Sequence, residues 1–582
     1  MVKKADNILN GIAAAPGIAI AKAHLYLKEI YEINGDPITD VDEAIESLNA
    51  ALEKSKKELG KVFSLAYDKL GEKRAAIFEA QIMILDDPVL IDNISKRIKK
   101  EKKQPEYIVN DEISKYQELM NSSKEPYMKE RSHDIEDIKN RIIRNLKKKK
   151  LQSRIKEDVI IVSENITPAD TVLFSRVNAL GYVTNFGGLT SHAAIVARSL
   201  NIPAVVGVHD STNKIKDGDT LIVDGFHGEI IVNPDAKQLI FYNKKIKKLT
   251  EYDTELAKLK DKPAVTLDGR EIIIQGNLDL IDELGLTIQN GARGLGLVRT
   301  EQLFQEFDGF PDEEEQYKYY KELSEKVYPE SITIRAFDIG GDKVLPFDVK
   351  EPNPFLGWRG IRFLLDNKKL FVSQIRAILR ASVNKNIKFL IPMITSMKEI
   401  RTFKSIIEDC KNDLLKNDIA FDNDMKIGIM IEVPSAAVLA GEFAEEVDFL
   451  SIGTNDLIQY LLAVDRGNDI VSESYQEFHP AVVRTISHII IHGKNAGAEV
   501  SLCGEMAADI LAVPLLVGLG LDSISVSASA IPYAKKIIRG ILYSEVKEIA
   551  EKCLKMKTEN EISLLLKSFL ETHLKTESQN LF

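Results

Sequence analysis

The residues best suited to chemistry in this chain of 582 residues form two groups. The first group consists of charged or reactive side chains at the ends of apolar, β-branched runs, or in nearby loops: Arg299, Arg335, Arg359, Glu432, Asn455, Asp456, Arg466 and Cys503. Arginine binds phosphate and carboxylate oxygens in bidentate geometry, and two carboxylates supply oxygen ligands suited to Mg²⁺. Four arginines in one ring would lack charge partners without a polyanionic ligand. The first group therefore predicts a magnesium site that binds a small ligand with both a phosphate and a carboxylate.

The second group lies in the segment GGLTSHAAIVARSLNIPAVVG, residues 187–207. Its glycine pair permits close backbone approach, and Thr190 or Ser191 could cap a helix that begins near His192 and ends before Pro203. A phosphate on His192 would face free N–H groups at the positive end of that helix, and neutral imidazole is a competent nucleophile near pH 7. A single histidine beside a turn is more often a surface or satisfied core residue, and the spacing alone does not overturn that interpretation.

The elements that must position the first group alternate strand and helix eight times. The strand candidates are REIIIQG, GLGLV, SITIRAF, KFLIPM, KIGIMIE, VDFLSIG, AEVSLC and SISVSAS. Apolar, β-branched strands separated by helical stretches are typical of a parallel sheet that is buried on both faces. Eight such units predict a TIM-type (β/α)₈ barrel, in which the active site lies at the C-terminal ends of the strands.

The N-terminal half predicts a discontinuous domain. Strand patterns occur in residues 8–27 and again from Asp158, and the glycine-poor segment between them has helical periodicity. We expect an α/β domain made of residues 1–35 and 150–233, with a bundle of roughly four helices inserted at 36–149. A charged helical linker would occupy residues 234–262, and the barrel residues 263–575. The predicted fold class is therefore multidomain α/β.

Composition excludes several classes of protein. The chain has 77 Lys and Arg against 88 Asp and Glu, a net charge of −11, which argues against nucleic acid as a partner. Its three cysteines lack metal-ligand spacing, which favours a reducing cytosol without disulfides. The longest strongly apolar stretch, 510–521, is too short to span a bilayer, and residues 1–10 lack an apolar signal segment. We therefore expect a cytoplasmic protein without membrane insertion.

Several long segments, which follow one another in the same order along the chain, resemble segments of a known superfamily. The region around His192 resembles the phosphohistidine signature shared by Enzyme I, pyruvate phosphate dikinase and phosphoenolpyruvate synthase. The segments GLGLVRTE, RAFDIGGDK, NPFLGWRGIR, IEVPSAA, SIGTNDLIQYLLAVDRGN and SLCGEMAAD resemble the phosphoenolpyruvate-binding barrel of the same superfamily. The last two segments and GWR are close to the Enzyme I form, and PGIA and YMKERSHDIEDI extend the resemblance to nearly the whole chain. The sequence is thus similar to the Enzyme I family of the sugar phosphotransferase system.

The resemblance implies a role for each residue of the first group. The substrate contacts, to phosphoenolpyruvate and its product pyruvate, would be Arg299, Arg335, Asn455 and Arg466, with Arg359 as a further candidate. Glu432 and Asp456 match the Mg²⁺ ligands. Cys503 matches the acid that protonates the enolate carbon of pyruvate, although a buried cysteine is more often inert.

The resemblance also implies a phosphorylated histidine and a protein acceptor. His192 would take the phosphoryl group and pass it to a histidine of the carrier protein HPr, docked on the helical insert. Thr167 would orient the ring of His192, and Arg198 would lie near its phosphoryl group. A homodimer through the barrel is also implied. Leu189 stands where the family usually has Arg, and Gln81 where many relatives have His, so contacts at those two positions stay open.

Two other functions are compatible with parts of this pattern. A dikinase-like enzyme would need nucleotide, and we expect no ATP-binding domain because PGIA begins at Pro16. A non-catalytic signalling scaffold could use the bundle to bind partners. Such a scaffold has no need of a reactive histidine, four arginines, two carboxylates and a cysteine at strand ends.

Overall fold

The computed structural model describes residues 7–573 except for 28–32, 71, 123–125, 150–157, 167–169, 171–173, 175–177, 189–193, 195–196, 198–201, 280, 307–309, 341–350, 466–470 and 472–473. The chain forms two compact units, Met1–Lys247 and Lys248–Phe582. No helix in the described part of the chain is long and apolar enough to cross a membrane.

The first unit contains a mixed sheet that is built from both ends of its sequence. The strands are β1 (Ile8–Asn10), β2 (Ile12–Ala15), β3 (Ile18–Tyr26), β4 (Val159–Ser163), β5 (Gly181–Thr184), β6 (Ala204–Val206), β7 (Thr220–Asp224) and β8 (Glu229–Val232), in the order β1-β8-β7-β3-β4-β5-β6-β2. Strands β3 to β6 pair in parallel, with Ala23 opposite Ile160 in the β3–β4 pair. Apolar side chains cover both faces of the sheet. Strand β5 was not predicted, since GYVT is short and starts with glycine.

The inserted segment contains five described helices, so the expectation of roughly four was wrong. They are α1 (Val41–Leu70), α2 (Glu72–Leu85), α3 (Pro88–Glu101), α4 (Pro105–Ser122) and α5 (Pro126–Leu146). The last three begin with proline, which fits the first turn of a helix but not its interior. Asp87 caps α3 by accepting the Val89 N–H at 2.8 Å. The prolines alone divide the segment into four helices, and the additional division separates α1 from α2.

A helix at Ala236–Ala257 follows the sheet, after a short helix at Ser211–Lys214. In the first unit, Tyr242 of the longer helix packs against Ile222 and Ile231 of the sheet. In the second unit, Lys536 Nζ donates to Glu255 Oε2 at 3.1 Å. Tyr242 thus belongs to a core cluster of the first unit, whereas the Lys536–Glu255 contact is a surface ion pair of the second unit.

The second unit contains the closed parallel barrel that the sequence predicts. Its strands are β9 (Ile273–Leu278), β10 (Leu295–Val298), β11 (Ile332–Arg335), β12 (Ile387–Ile391), β13 (Lys426–Ile431), β14 (Phe449–Ile452), β15 (Glu499–Leu502) and β16 (Ser523–Val526). Strand β16 pairs with β9 and closes the barrel. The α/β fold class is thereby confirmed.

Helices surround the barrel. The described α-helices are Leu284–Gln289, Gln302–Glu306, Glu313–Val327, Ile361–Asp366, Lys368–Ala381, Met397–Lys416, Pro434–Val438, Ala440–Ala444, Thr454–Leu462, Pro480–Asn495, Ala512–Gly518, Ile531–Gly540, Tyr543–Cys553 and Glu559–His573. One cluster of buried side chains in this unit contains Leu297, Leu390, Met430, Phe449 and Cys503. A Cβ atom at Gly428 would come within 2.5 Å of the Phe449 ring, so glycine makes room for that ring.

Candidate active site

Most residues of the first group, the charged and reactive side chains at strand ends, line one pocket of the barrel. Arg299 follows β10, Arg335 ends β11, Glu432 follows β13 and Cys503 follows β15. The predicted residues that line the pocket are Arg299, Arg335, Arg359, Glu432, Asn455, Asp456 and Cys503. They converge because parallel strands bring their C-terminal ends to the same side of the barrel. Arg466, the remaining member, lies outside the described residues.

The three described arginines of the first group all have carboxylate partners. This corrects the expectation that they would lack charge partners without a ligand. Arg299 Nη1 donates to both carboxylate oxygens of Asp279 at 3.0 Å. Arg335 Nη2 donates to Glu301 Oε1 at 2.7 Å, and its Nη1 lies 3.4 Å from Asp338 Oδ2. Protein carboxylates therefore offset the positive charge without a ligand.

Sequence reasoning assigned no role to these partners. Asp279 directly follows β9, so the strand-end rule that found Arg299 would have found it as well. Asp338 lies three residues beyond the end of β11 and is 1% exposed. Its pairing depends on packing between separate segments, which no local pattern reports.

Within the described part of the chain, the Nε donor of Arg335 makes no hydrogen bond. The side chain is 6% exposed and its Nε is buried, and no acceptor among the described residues reaches that nitrogen. A buried N–H without an acceptor costs free energy, which an oxygen of a bound anion would recover. The pocket thus retains a donor for a phosphate or a carboxylate.

Arg359 is 3% exposed and is surrounded by acceptors. Its guanidinium donates to both oxygens of Asp338 and to both oxygens of Asp456, at 2.8–3.2 Å. Burial acts to lower the pKa of Arg359, but Asp338 and then Asp456 outweigh it, and the pKa is raised. Arg359 therefore stays charged and joins β11's loop to the helix Thr454–Leu462.

Glu432 and Asp456 supply a donor set that fits Mg²⁺. Glu432 is 1% exposed and accepts the Met393 N–H at 2.7 Å. Burial, followed by the charges of Asp456 and Asp338, raises the pKa of Glu432 well above its usual value. A cation would relieve this repulsion, and Mg²⁺ often takes one or two carboxylates together with substrate oxygens. A site of that kind needs no third protein ligand, and the described residues contain no metal-binding group of three or more His, Cys, Asp or Glu.

Cys503 is a buried thiol, with 2% of its surface exposed. Its Sγ accepts a hydrogen bond from Ser451 Oγ at 3.3 Å and donates to the Ile452 carbonyl at 3.7 Å. Burial raises the pKa of the thiol, although Ser451 acts in the opposite direction. The group is therefore protonated at neutral pH, as a proton donor must be.

Asn455 belongs to a polar cluster at the edge of the pocket. Its Nδ2 donates to Glu505 Oε1 at 3.0 Å, and its Oδ1 accepts the Glu505 N–H at 2.8 Å. Nearby, burial raises the pKa of Glu477 to about 7, with further contributions from Asp509 and Glu505. Sequence reasoning missed Glu477, which does not follow any of the described strands.

The second group falls mostly outside the described residues, which include none of Thr167, Leu189, His192 and Arg198. Gly187, the first residue of the segment 187–207, has a φ of +116°, a value that strongly favours glycine. Ala194 and Ala197, which follow His192, are fully buried. In the helical insert, Gln81 on α2 is 3% exposed.

Three family models match successive parts of the chain. Residues 253–543 match the PEP-binding domain of PEP-utilising enzymes, residues 10–131 their N-terminal domain and residues 155–228 their mobile domain.

Curated relatives match the chain along nearly its whole length. The phosphoenolpyruvate-protein phosphotransferase of Staphylococcus carnosus is 40% identical over 565 residues, covering 96% of this chain and 99% of the relative. The proteins of the same name from Staphylococcus epidermidis and Geobacillus stearothermophilus are each 41% identical. They cover 96% and 97% of this chain, respectively, and 98% of each relative.

Proposed function

Because the chain belongs to the family of phosphoenolpyruvate-protein phosphotransferases, we propose that it transfers the phosphoryl group of phosphoenolpyruvate to its own His192. From His192 the group passes to a histidine of the carrier protein HPr, as the first step of sugar uptake by the phosphotransferase system. The observation that carries this proposal is the barrel pocket, where arginines, two carboxylates and a protonated thiol meet in a chain about 40% identical to these enzymes.

Arg299 and Arg335 bind the phosphoryl oxygens of the substrate. The Nε donor of Arg335, which is unpaired among the residues that the structure describes, supports this role, and the guanidinium fork suits phosphate and carboxylate oxygens. Asn455 and Arg466 complete the substrate contacts. Arg359, the further candidate, lines the same pocket.

Glu432 and Asp456 hold Mg²⁺ in this proposal. When bound, the ion neutralises charge on the oxygens of the transferring phosphoryl group. The raised pKa of Glu432 supports the assignment, since a buried pair of carboxylates is a favourable environment for a cation.

His192 and Cys503 carry out the bond changes. A ring nitrogen of His192 forms a bond to phosphorus while the bond from phosphorus to the enolate oxygen breaks. Cys503 donates its thiol proton to the enolate carbon, which gives pyruvate, and the thiolate regains a proton from solvent. Thr167 orients the imidazole, and Arg198 lies near the phosphoryl group.

The transfer to HPr involves the inserted helices. HPr docks on the domain of residues 36–149, and the α/β domain of residues 1–35 and 150–233 moves on the linker of residues 234–262. One histidine serves a substrate in the barrel and an acceptor on the helices only if such movement occurs.

The protein acts in the cytoplasm as a homodimer formed through its barrel domain, residues 263–575. Its three cysteines, Cys410, Cys503 and Cys553, are all free and buried, which agrees with a reducing compartment.

The first prediction concerns labelling of His192. Incubation of the full chain with phosphoenolpyruvate and Mg²⁺ should add one acid-labile phosphoryl group, detected by intact mass at neutral pH and mapped to His192. HPr should then remove it.

His192→Ala should abolish the label, whereas His227→Ala, at a half-exposed histidine of the same unit, should label like the wild type. A label that persists in His192→Ala, or the absence of label on the wild type, would contradict the proposal.

A further inference from the structure

Arg359 uses its entire set of N–H donors on other protein groups. Its Nε and one Nη2 hydrogen bond Asp338, at 3.2 and 2.8 Å. The second Nη2 hydrogen and one Nη1 hydrogen bond Asp456, at 3.1 and 3.2 Å. The remaining Nη1 hydrogen bonds the hydroxyl of Tyr460 at 3.1 Å. A guanidinium has five N–H donors and no acceptor, so none remains for a substrate oxygen.

Arg335 differs from Arg359 in this respect. Both arginines are buried and line the same pocket. Arg335, however, has an Nε donor that finds no acceptor in the described ranges of the chain. Residue type alone would give the two arginines the same role, but their hydrogen bonds do not.

Tyr460 completes the environment of Arg359. It follows Asp456 by four residues on the helix Thr454–Leu462, so both side chains lie on the same face of that helix. The hydroxyl of Tyr460 accepts from Arg359 and donates to the Phe355 carbonyl at 2.5 Å. Tyr460 thereby ties the guanidinium both to the helix that bears Asp456 and to the segment before Arg359.

We propose that Arg359 and Tyr460 are positioning residues rather than substrate contacts. Arg359 holds both oxygens of Asp456 in one orientation, and Tyr460 holds Arg359. Each Asp456 oxygen keeps lone-pair capacity for a cation, and residues that orient a metal ligand are known to affect metal affinity strongly. The inference rests on the proposed function, because it assumes that Asp456 binds Mg²⁺.

The test compares Tyr460→Phe with the wild type, using Mn²⁺ as the probe for the Mg²⁺ site. The full chain is titrated with Mn²⁺ alone, and free ion is measured by electron paramagnetic resonance. Loss of an outer-shell partner of a metal ligand typically lowers metal affinity by about 10–100-fold, so the Mn²⁺ dissociation constant should rise by about tenfold, at the low end because Tyr460 acts through Arg359. The KM for phosphoenolpyruvate at saturating metal should change less than about twofold.

The matched control is Tyr320→Phe, the same chemical change at a buried tyrosine of the same unit. Tyr320 donates to Gln316 at 3.2 Å and accepts from Gln374 at 3.1 Å, and it does not line the pocket. Its substitution should leave the Mn²⁺ dissociation constant unchanged. A Tyr460→Phe variant that binds Mn²⁺ like this control would overturn the inference.

Arg359→Lys provides a second variant. Weaker Mn²⁺ binding in the absence of substrate supports the positioning role. Unchanged Mn²⁺ binding together with a higher KM for phosphoenolpyruvate would show that Arg359 is a substrate contact and would contradict the inference. Failure of the proposed function is distinguishable, because it appears as absence of label on wild-type His192 and does not depend on the Mn²⁺ titration.

Discussion

At the scale of single residues, the environment of Cys503 decides which chemistry the thiol can perform. Reactive cysteines are partly exposed and have a lowered pKa. Cys503 has the opposite properties, since it is 2% exposed and burial raises its pKa. Such a thiol suits delivery of a proton better than attack on an electrophile.

Cys503→Ala should therefore slow pyruvate formation without weakening substrate binding. We expect kcat to fall by about 10²–10⁴-fold, the usual contribution of a general acid, with little change in KM. Steady-state kinetics with phosphoenolpyruvate and HPr measure both quantities. Ser451→Ala, which removes only the hydrogen bond to the sulfur, serves as the milder comparison. An unaltered kcat in Cys503→Ala would show that Cys503 is not the acid.

Single residues also mark the limit of prediction from the sequence. Strand ends located Arg299, Glu432 and Cys503, because the position of a residue at a strand end follows from the barrel pattern. Of the carboxylates that pair with the arginines, Asp279 follows a strand and could have been found in the same way, but Glu301 and Asp338 could not. Glu301 and Asp338 reach the arginines through contacts between segments that are distant in the chain or lie beyond a strand end.

At the scale of elements, a cluster of carboxylates forms where three segments meet beside Asn455. Glu477 precedes the helix Pro480–Asn495, and Glu505 begins the 3₁₀ helix Glu505–Ala508. Asp509 follows that 3₁₀ helix, and its pKa is also raised by burial. Ionisation of Glu477 therefore adds negative charge to an acidic, partly desolvated corner.

Glu477→Gln should stabilise the protein at alkaline pH. The pKa of Glu477 is about 7 in the folded chain, above the usual value of about 4.3. Between about pH 4.3 and about pH 7, the folded state therefore keeps a proton on Glu477 that the unfolded state has lost. The associated stability is fully present below about pH 4 and is lost as pH rises through 7. At pH 8.5 the variant should exceed the wild type by roughly 1–2 kcal/mol, allowing for partial exposure.

Denaturant unfolding at pH 5.5 and pH 8.5 measures this difference. Glu551→Gln, at an exposed position, controls for loss of a negative charge. A gain that is equal at both pH values would contradict the argument.

Elements were largely predictable where the pattern was strong. All eight barrel strands were predicted from short apolar runs, several of them rich in β-branched residues, because a parallel sheet is buried on both faces. Strand β5 escaped prediction because its four residues begin with Gly181 and have no long apolar run. The number of helices in the insert was underestimated because periodicity does not report where one helix gives way to the next.

At the scale of the whole molecule, the two units have separate hydrophobic cores. The barrel core includes side chains from β9 to β16 and their helices, whereas the bundle and the mixed sheet each have their own clusters. Units with independent cores commonly unfold separately.

Scanning calorimetry of the full chain should therefore resolve more than one transition. With His192→Ala, which prevents turnover, Mg²⁺ and phosphoenolpyruvate should raise the barrel transition by a few degrees, because a ligand stabilises the unit that binds it. The transitions of the first unit should stay in place. A single transition that shifts as a whole would contradict this division.

The burial of all three cysteines has a consequence for the resistance of the protein to oxidation. Peroxide oxidises thiolates far faster than thiols. Burial raises the pKa of Cys410 and of Cys553 to about 11, and it raises that of Cys503 as well. Burial therefore keeps all three thiols in the protonated form, which oxidants attack least.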